Sequence, residues 1–212
     1  MEMNDCKLID LDTYERAKTF EAFKNHDVPV LSTACNVDIT NARILSERTK
    51  ISTFIIISYY VSKVLNEVPN FRHRIVDDRL YEYYKINPGY TVLLENKTFT
   101  FCDSEYEDDL VKFSVLTKER MDRVKKEPDL GMGEKHNMFF ISNIPWFSFS
   151  SFVHPYIKKY ASIPLVTIGK YFSSAERTLA PVAIQANHAL VDGFHIGQFF
   201  DGLSEYTNGE QT

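Results

Sequence analysis

The chain has 212 residues, of which 44% are hydrophobic and 14% aromatic, so it can bury one good core and a single domain over residues 1–212 is expected. Its formal net charge of -5, with the signs interspersed, lacks the basic surface that nucleic-acid binding requires. The first ten residues resemble no secretion signal, and the longest apolar run is too short for a bilayer. We therefore expect a soluble, cytoplasmic protein with no nucleic-acid or membrane partner.

Hydrophobic periodicity predicts alternating helices and strands in the first part of the chain. Residues 11–23 carry apolar side chains at the three-to-four-residue spacing of an amphipathic helix, and residues 28–40 have the pattern of a strand. Residues 52–68 are apolar nearly all round, which predicts a helix buried against a sheet and ending before Pro69.

The rest of the chain predicts hairpins, helices and short strands. Alternating apolar and polar residues flank turns at residues 77–78 and 95–97, and residues 106–127 form a helix with acids at its start and bases toward its end. A last helix runs from about Asp192 to Tyr206. Between these helices, four segments are predicted as strands: MFFIS, FSFSSF, IPLVTIGKYF and PVAIQA. This order favours an α/β fold, a two-layer sandwich with a mixed β-sheet covered by helices.

The segment NHALVDGFH, residues 187–195, stands where a strand ends and a helix begins. Neutral imidazole, with an unperturbed pKa of about 6.5, can accept a proton at neutral pH, so His188 is a candidate general base. Asp192 is equally well placed to cap the following helix, with Gly193 easing the turn. On these residues alone, a histidine without a chemical role is the commoner outcome.

The segment AIQANHALVDGFH resembles the active-site signature of the chloramphenicol acetyltransferases, His-His-x-x-x-Asp-Gly-Phe-His. The segments YER, DIT, SNIPWFSFSSF and TIGKY resemble other blocks of that family, in family order and at nearly family spacing. The resemblance runs from about Asp10 to the C-terminus. It implies the family fold, and an antibiotic-inactivating transfer of acetyl from acetyl-CoA to a chloramphenicol hydroxyl. It also implies direct attack in a ternary complex and a homotrimer with sites between subunits.

The resemblance implies a role for each residue of the reacting group. His188 would take the proton from the acceptor hydroxyl, and Ser142 would donate to the developing oxyanion. Thr167 would help to hold this network through a water. Asp192 would pair with Arg16 and so fix the strand end that bears His188.

The resemblance also implies two sets of binding residues and no metal. By that resemblance, Lys170, Tyr171 and Trp146 would bind the coenzyme. The sequence contains no glycine-rich phosphate loop, so the coenzyme site would be a tunnel built from side chains. The acceptor pocket would be formed by seven residues: Phe23, Leu31, Phe99, Phe101, Phe152, His154 and Tyr156.

The sequence departs from the family pattern at a few of these positions. Asn187 stands where the family usually has the first histidine of a pair, and Phe23 stands where a tyrosine is common. His154 and Tyr156 replace aliphatic residues, and Phe101 replaces a small one. Pocket differences of this kind are worth roughly 1–3 kcal/mol each, so they affect the acceptor more than the chemistry.

Three functions therefore stay open. The first is acetylation of chloramphenicol, and the second is the same chemistry on a different hydroxylated small molecule. The third is a binding protein without activity, which only Asn187 favours. No role is assigned to His195, the second histidine of the signature.

Overall fold

The computed structural model describes residues 5–128, 130 and 135–209. The strands within these residues are β1 (Cys6–Leu8), β2 (Val30–Asp38), β3 (His73–Val76), β4 (Arg79–Tyr83), β5 (Asn87–Leu93), β6 (Phe99–Asp103), β7 (Met138–Ile144), β8 (Leu165–Gly169), β9 (Phe172–Ser174) and β10 (Arg177–Asn187). The α-helices are α1 (Ala17–Phe23), α2 (Thr40–Thr49), α3 (Thr53–Glu67), α4 (Leu110–Lys126) and α5 (Gly193–Asn208). Short 3-10 helices lie at Pro69–Arg72 and Lys158–Tyr160.

A seven-stranded mixed sheet forms the centre of the fold, in the order β2-β10-β8-β7-β5-β6, with β9 paired to β10. Strand β7 runs parallel to both β5 and β8, whereas the other neighbours are antiparallel. Helix α5 contacts β2, α2 contacts β10, and α4 contacts β5 and β6. The predicted α/β architecture, a mixed sheet covered by helices, is confirmed. A small separate sheet, in the order β1-β4-β3, adds to it.

Helix α3 has the buried position that its sequence predicts. Its N-cap Ser52 accepts a hydrogen bond from the Ile55 amide at 3.3 Å, and Ile56 and Ile57 are fully buried. Burying such side chains stabilises the fold by about 1.5–3 kcal/mol each relative to exposure. The helix ends before Pro69, where the chain turns into a 3-10 helix. No helix within the described ranges is both long and apolar enough to cross a bilayer.

Strand β10 carries the chain to the segment that contains His188. It lies between β2 and β8, and every residue from Ala180 to Asn187 is buried. A strand buried on both faces is typically an apolar run, which residues 181–184 supply. Because β10 ends at Asn187 and α5 starts at Gly193, His188 lies in the short turn between them.

The structure corrects two predictions about local structure. The strand predicted over FSFSSF is wrong, because β7 ends at Ile144 and residues 145–157 form no regular element. Pro145 follows β7 directly and has no amide hydrogen to continue a ladder. In this loop Phe149 packs against Gly169, where a Cβ would lie 2.7 Å from the phenyl ring. The first helix is also shorter than predicted, starting at Ala17.

Candidate active site

The signature turn, residues 187–195, holds His188 through hydrogen bonds. The His188 amide donates to the Pro29 carbonyl at 2.8 Å, and its Nδ1 lies 3.0 Å from the Val191 carbonyl oxygen. A carbonyl can only accept, so Nδ1 carries the hydrogen and the neutral ring keeps its lone pair on Nε2. The Phe23 ring packs on the imidazole with centroids 4.2 Å apart. His188 therefore presents the tautomer that a base acting through Nε2 requires.

Asn187 stabilises the same turn. Its side chain is buried, and its Oδ1 accepts from the Ala189 amide at 2.9 Å. An asparagine that hydrogen-bonds the backbone two residues ahead is a common turn device. The residue that departs from the family pattern thus has a local structural role.

Arg16 and Asp192 form the ion pair that the sequence predicts. Arg16 Nη1 donates to Asp192 Oδ2, while Asp192 Oδ1 accepts from the Phe194 amide at 3.1 Å and so caps α5. Burial raises the pKa of the Asp192 carboxyl, but the hydrogen bond and charge of Arg16, with a contribution from His195, outweigh this and lower the pKa overall. Asp192 is therefore both a helix cap and one half of a tertiary clamp.

A cavity of about 660 Å³ is lined by residues that were predicted to bind the acceptor, the coenzyme and the oxyanion. Strands β5 to β8 and the loop after β7 supply most of its wall. Seven of the predicted site residues line it: Ser142, Trp146, Phe99, Phe101, Phe152, His154 and Tyr156. Its mostly apolar wall with few polar groups is typical of small-molecule sites.

Polar residues that line this cavity are hydrogen-bonded to one another and to Thr167, which is not itself a lining residue. Ser142 Oγ lies 3.3 Å from Thr91 Oγ1, and Thr167 is the partner of Ser142 in the β7–β8 ladder. Thr167 Oγ1 is hydrogen-bonded to His154 Nε2 at 2.6 Å, and the His154 amide donates to Gln185 Oε1 at 2.8 Å. The buried Thr167 hydroxyl, expected to act through a water, is thus engaged directly by an imidazole. Burial lowers the pKa of His154, so this ring is neutral at pH 7.

Eight of the predicted site residues are outside the described cavity lining, and His188, Phe23, Leu31 and Arg16 are four of them. Within the described residues, the lining includes neither His188 nor Phe23, which pack on each other. Leu31 packs against the core opposite Ala186 in the β2–β10 pair. Arg16 lies beside Asp192 under the signature turn.

The predicted coenzyme residues occupy different environments. Trp146 lines the cavity with 58% of its surface exposed. The Lys170 side chain is exposed, and its amide donates to the Phe147 carbonyl at 3.0 Å, next to Trp146. Tyr171 packs against the core, and burial raises its pKa to about 12. The Lys170 backbone is therefore tied to the loop that contains Trp146, whereas Tyr171 is a packing residue.

The cavity-lining residues that sequence reasoning missed include three with polar side chains: Thr91, Lys97 and Gln185. Thr91 and Gln185 are polar positions in otherwise apolar strands, and that contrast is a signal that could have found them. Lys97 lies in a hairpin turn, where a lysine is ordinary, so its sequence position gives no such signal.

Comparison with known proteins places this architecture in a family. The family model described as chloramphenicol acetyltransferase matches residues 3–204. The chain belongs to the chloramphenicol acetyltransferase family. A chloramphenicol acetyltransferase of Proteus mirabilis is 32% identical over 205 residues, which cover 94% of this chain and 93% of the relative. Chloramphenicol acetyltransferase 3 of Escherichia coli is 29% identical, with 98% and 99% covered.

Solved structures agree with this membership. A chloramphenicol acetyltransferase has a TM-score of 0.90 at 25% identity and covers 96% of this chain and 100% of its own. The cubic core of the pyruvate dehydrogenase multienzyme complex shares the fold, with a TM-score of 0.70 at 14% identity. The chloramphenicol acetyltransferase family consists of acyltransferases, and the chain is an enzyme of that class.

Proposed function

We propose that this protein transfers an acetyl group from acetyl-CoA to a hydroxyl of chloramphenicol and so inactivates the antibiotic. It would act as one domain over residues 1–212, in a cytoplasmic homotrimer. The observation that carries the proposal is the hydrogen bond from His188 Nδ1 to the Val191 carbonyl, since it leaves Nε2 as a proton acceptor.

In the reaction, His188 Nε2 takes the proton of the acceptor hydroxyl while that oxygen bonds to the thioester carbonyl carbon. The Ser142 hydroxyl donates a hydrogen bond to the oxyanion that forms there. When the carbon–sulfur bond breaks, the sulfur leaves with its electron pair and receives the proton from the His188 imidazolium. His188 is thereby restored, and the acyl group is never bonded to the protein.

The separation of His188 from Ser142 supports sites between subunits. In one chain, the described lining of the cavity contains Ser142 but neither His188 nor Phe23. A contact that brings the partner subunit's His188 to the mouth of this cavity would join the two halves. A closed ring of three copies would form three such sites from one repeated contact.

The residues present fit acetyl-CoA as the acyl donor. The apolar cavity suits a narrow, uncharged thioester arm, and the exposed Trp146 offers a flat surface for an adenine ring. Lys170, exposed beside the Trp146 loop, offers a cation for a phosphate.

A different hydroxylated acceptor is the second candidate, and the His154–Thr167 hydrogen bond favours it. This pair brings a neutral imidazole to the wall of an apolar cavity. A polar group at such a wall selects acceptors that can satisfy it. The acyl chemistry at His188 and Ser142 would be the same.

The test is release of the CoA thiol from acetyl-CoA, with and without chloramphenicol, by the native protein and by His188→Ala. We expect chloramphenicol-dependent release that falls about 10²–10⁴-fold in the variant, the usual contribution of a general base. His188→Gln, which keeps the size of the side chain, and size-exclusion chromatography control for assembly. Equal turnover by the variants would refute His188 as the base. Release with other alcohols but not with chloramphenicol would favour the second candidate.

A further inference from the structure

His195 is a histidine of the signature segment to which the proposed reaction assigns no role. It is the third residue of α5, and only 8% of its surface is exposed. Its Nδ1 lies 3.2 Å from the Asp192 amide nitrogen and 2.8 Å from Asp192 Oδ1. Asp192 and His195 thus form a reciprocal capping box at the start of the helix.

The Asp192 amide belongs to the same peptide group as the carbonyl that orients His188. The Val191 carbonyl faces His188 Nδ1, and the N–H at the other end of that peptide, on Asp192, faces His195 Nδ1. A peptide group is planar, so holding its N–H also sets the direction of its carbonyl. A hydrogen bond to the N–H further polarises the carbonyl and makes it a better acceptor.

A histidine suits this position better than the usual capping-box residue. Glutamate or glutamine is common at the third helical position, but a glutamate here would face the ionised Asp192 carboxylate. Imidazole can accept from the amide when its Nδ1 is bare and donate to the carboxylate when Nδ1 carries the hydrogen. The form with a bare Nδ1 restrains the Asp192 amide and with it the Val191–Asp192 peptide, whereas the Nδ1–H form restrains the Asp192 carboxylate.

The surroundings keep the His195 ring uncharged. Burial lowers its pKa, against the opposing effect of Asp192, and Arg16 lowers it further. The buried His73 is within electrostatic reach of His195 and adds no charge at neutral pH, because burial lowers its pKa to about 4. Arg16 already balances the charge of Asp192. A neutral His195 ring therefore completes the helix cap without adding a positive charge near His188.

We propose that His195 is a positioning residue for His188: it holds the Val191–Asp192 peptide in the orientation whose carbonyl fixes the His188 tautomer. This inference rests on the proposed function only in taking His188 Nε2 as the base. The orientation itself is a property of the folded protein without substrate.

The test compares His195→Leu, which can neither accept nor donate, with His195→Asn, whose amide can do both. Nitrogen-15 NMR of histidine-labelled protein reads the His188 tautomer directly, with the His188→Gln spectrum as assignment. We expect a largely Nδ1–H tautomer in the native protein and in His195→Asn, and a mixture in His195→Leu. The kcat should fall about 5- to 30-fold in His195→Leu, as expected for one or two hydrogen bonds, and recover in His195→Asn with KM for acetyl-CoA unchanged.

Asp109→Ala provides the matched control for loss of a helix cap. Asp109 caps α4 by accepting from the Lys112 amide at 2.8 Å, away from the signature turn. This variant should lose stability and keep the native His188 tautomer. An unchanged tautomer in His195→Leu would overturn the inference, whatever the turnover. A shifted tautomer in protein that does not acetylate chloramphenicol would support it and reject the acceptor instead.

Discussion

The signature turn and the cavity differ in what determines their structure. In the turn, the side chains of Asn187, His188 and Asp192 each hydrogen-bond to backbone within three residues. In the cavity, Ser142 and Thr167 depend on partners from distant strands and from a loop without regular structure. Short-range hydrogen bonds therefore define the turn that carries the proposed base, and long-range packing defines the cavity side, which carries the proposed oxyanion donor Ser142 and the acceptor wall.

The largest expected effect is the fall in kcat caused by Ser142→Ala, a change on the cavity side that leaves the signature turn intact. Removing an oxyanion donor typically lowers kcat by about 10²–10³-fold, because the charge that develops in the transition state loses a preorganised partner. Steady-state kinetics should show this loss with little change in KM for either substrate. Ser173→Ala on β9, an exposed serine, provides the control. A loss below threefold in Ser142→Ala would exclude this hydroxyl as the donor.

The same difference explains what the sequence could predict. The cap at Asp192, the buried run of β10 and the apolar α3 follow from local patterns, and all are present. The Arg16–Asp192 pair spans most of the chain and was predicted only through the family resemblance. The roles of the site residues stay predictions.

Loop 145–157 shows where sequence patterns stop being informative. Its alternating phenylalanines and serines match a strand, but it pairs with no strand in the described sheet. It contacts the edge strand β2 through a side-chain hydrogen bond, from Ser32 Oγ to the Phe152 carbonyl. Its phenylalanines pack instead on each other and on Gly169, with Phe149 and Phe152 centroids 5.3 Å apart. The contact between His154 and Thr167 depends on this loop path, so no local pattern could predict it.

The second effect is a pH-dependent loss of stability that comes from the buried His73. His73 is 5% exposed, its Nδ1 lies 3.3 Å from the Tyr14 hydroxyl, and burial lowers its pKa to about 4. Between pH 6.5 and 4 the unfolded chain binds a proton that the folded chain does not, so stability is lost as pH falls through this window. The loss is about 3 kcal/mol when complete.

Urea unfolding at pH 7, 5.5 and 4.5 measures this loss. His73→Asn removes the titrating group, so its free energy of unfolding should decline less steeply over the same range. His26→Asn, which replaces an exposed histidine, should keep the native slope. Parallel slopes for His73→Asn and the native protein would contradict a neutral, buried His73.

The smallest effect is expected on the cavity side, from His154→Leu. The change leaves the buried Thr167 hydroxyl without its partner, and a lost hydrogen bond of this kind costs about 1 kcal/mol. We expect KM for the acceptor to rise about fivefold, while kcat stays within a factor of three because His188 and Ser142 are untouched. A double-mutant cycle with Thr167→Val should give a coupling energy of about 1 kcal/mol. Zero coupling would mean that His154 affects the acceptor without Thr167, whereas a large fall in kcat would show that the pair acts on the reacting groups His188 and Ser142.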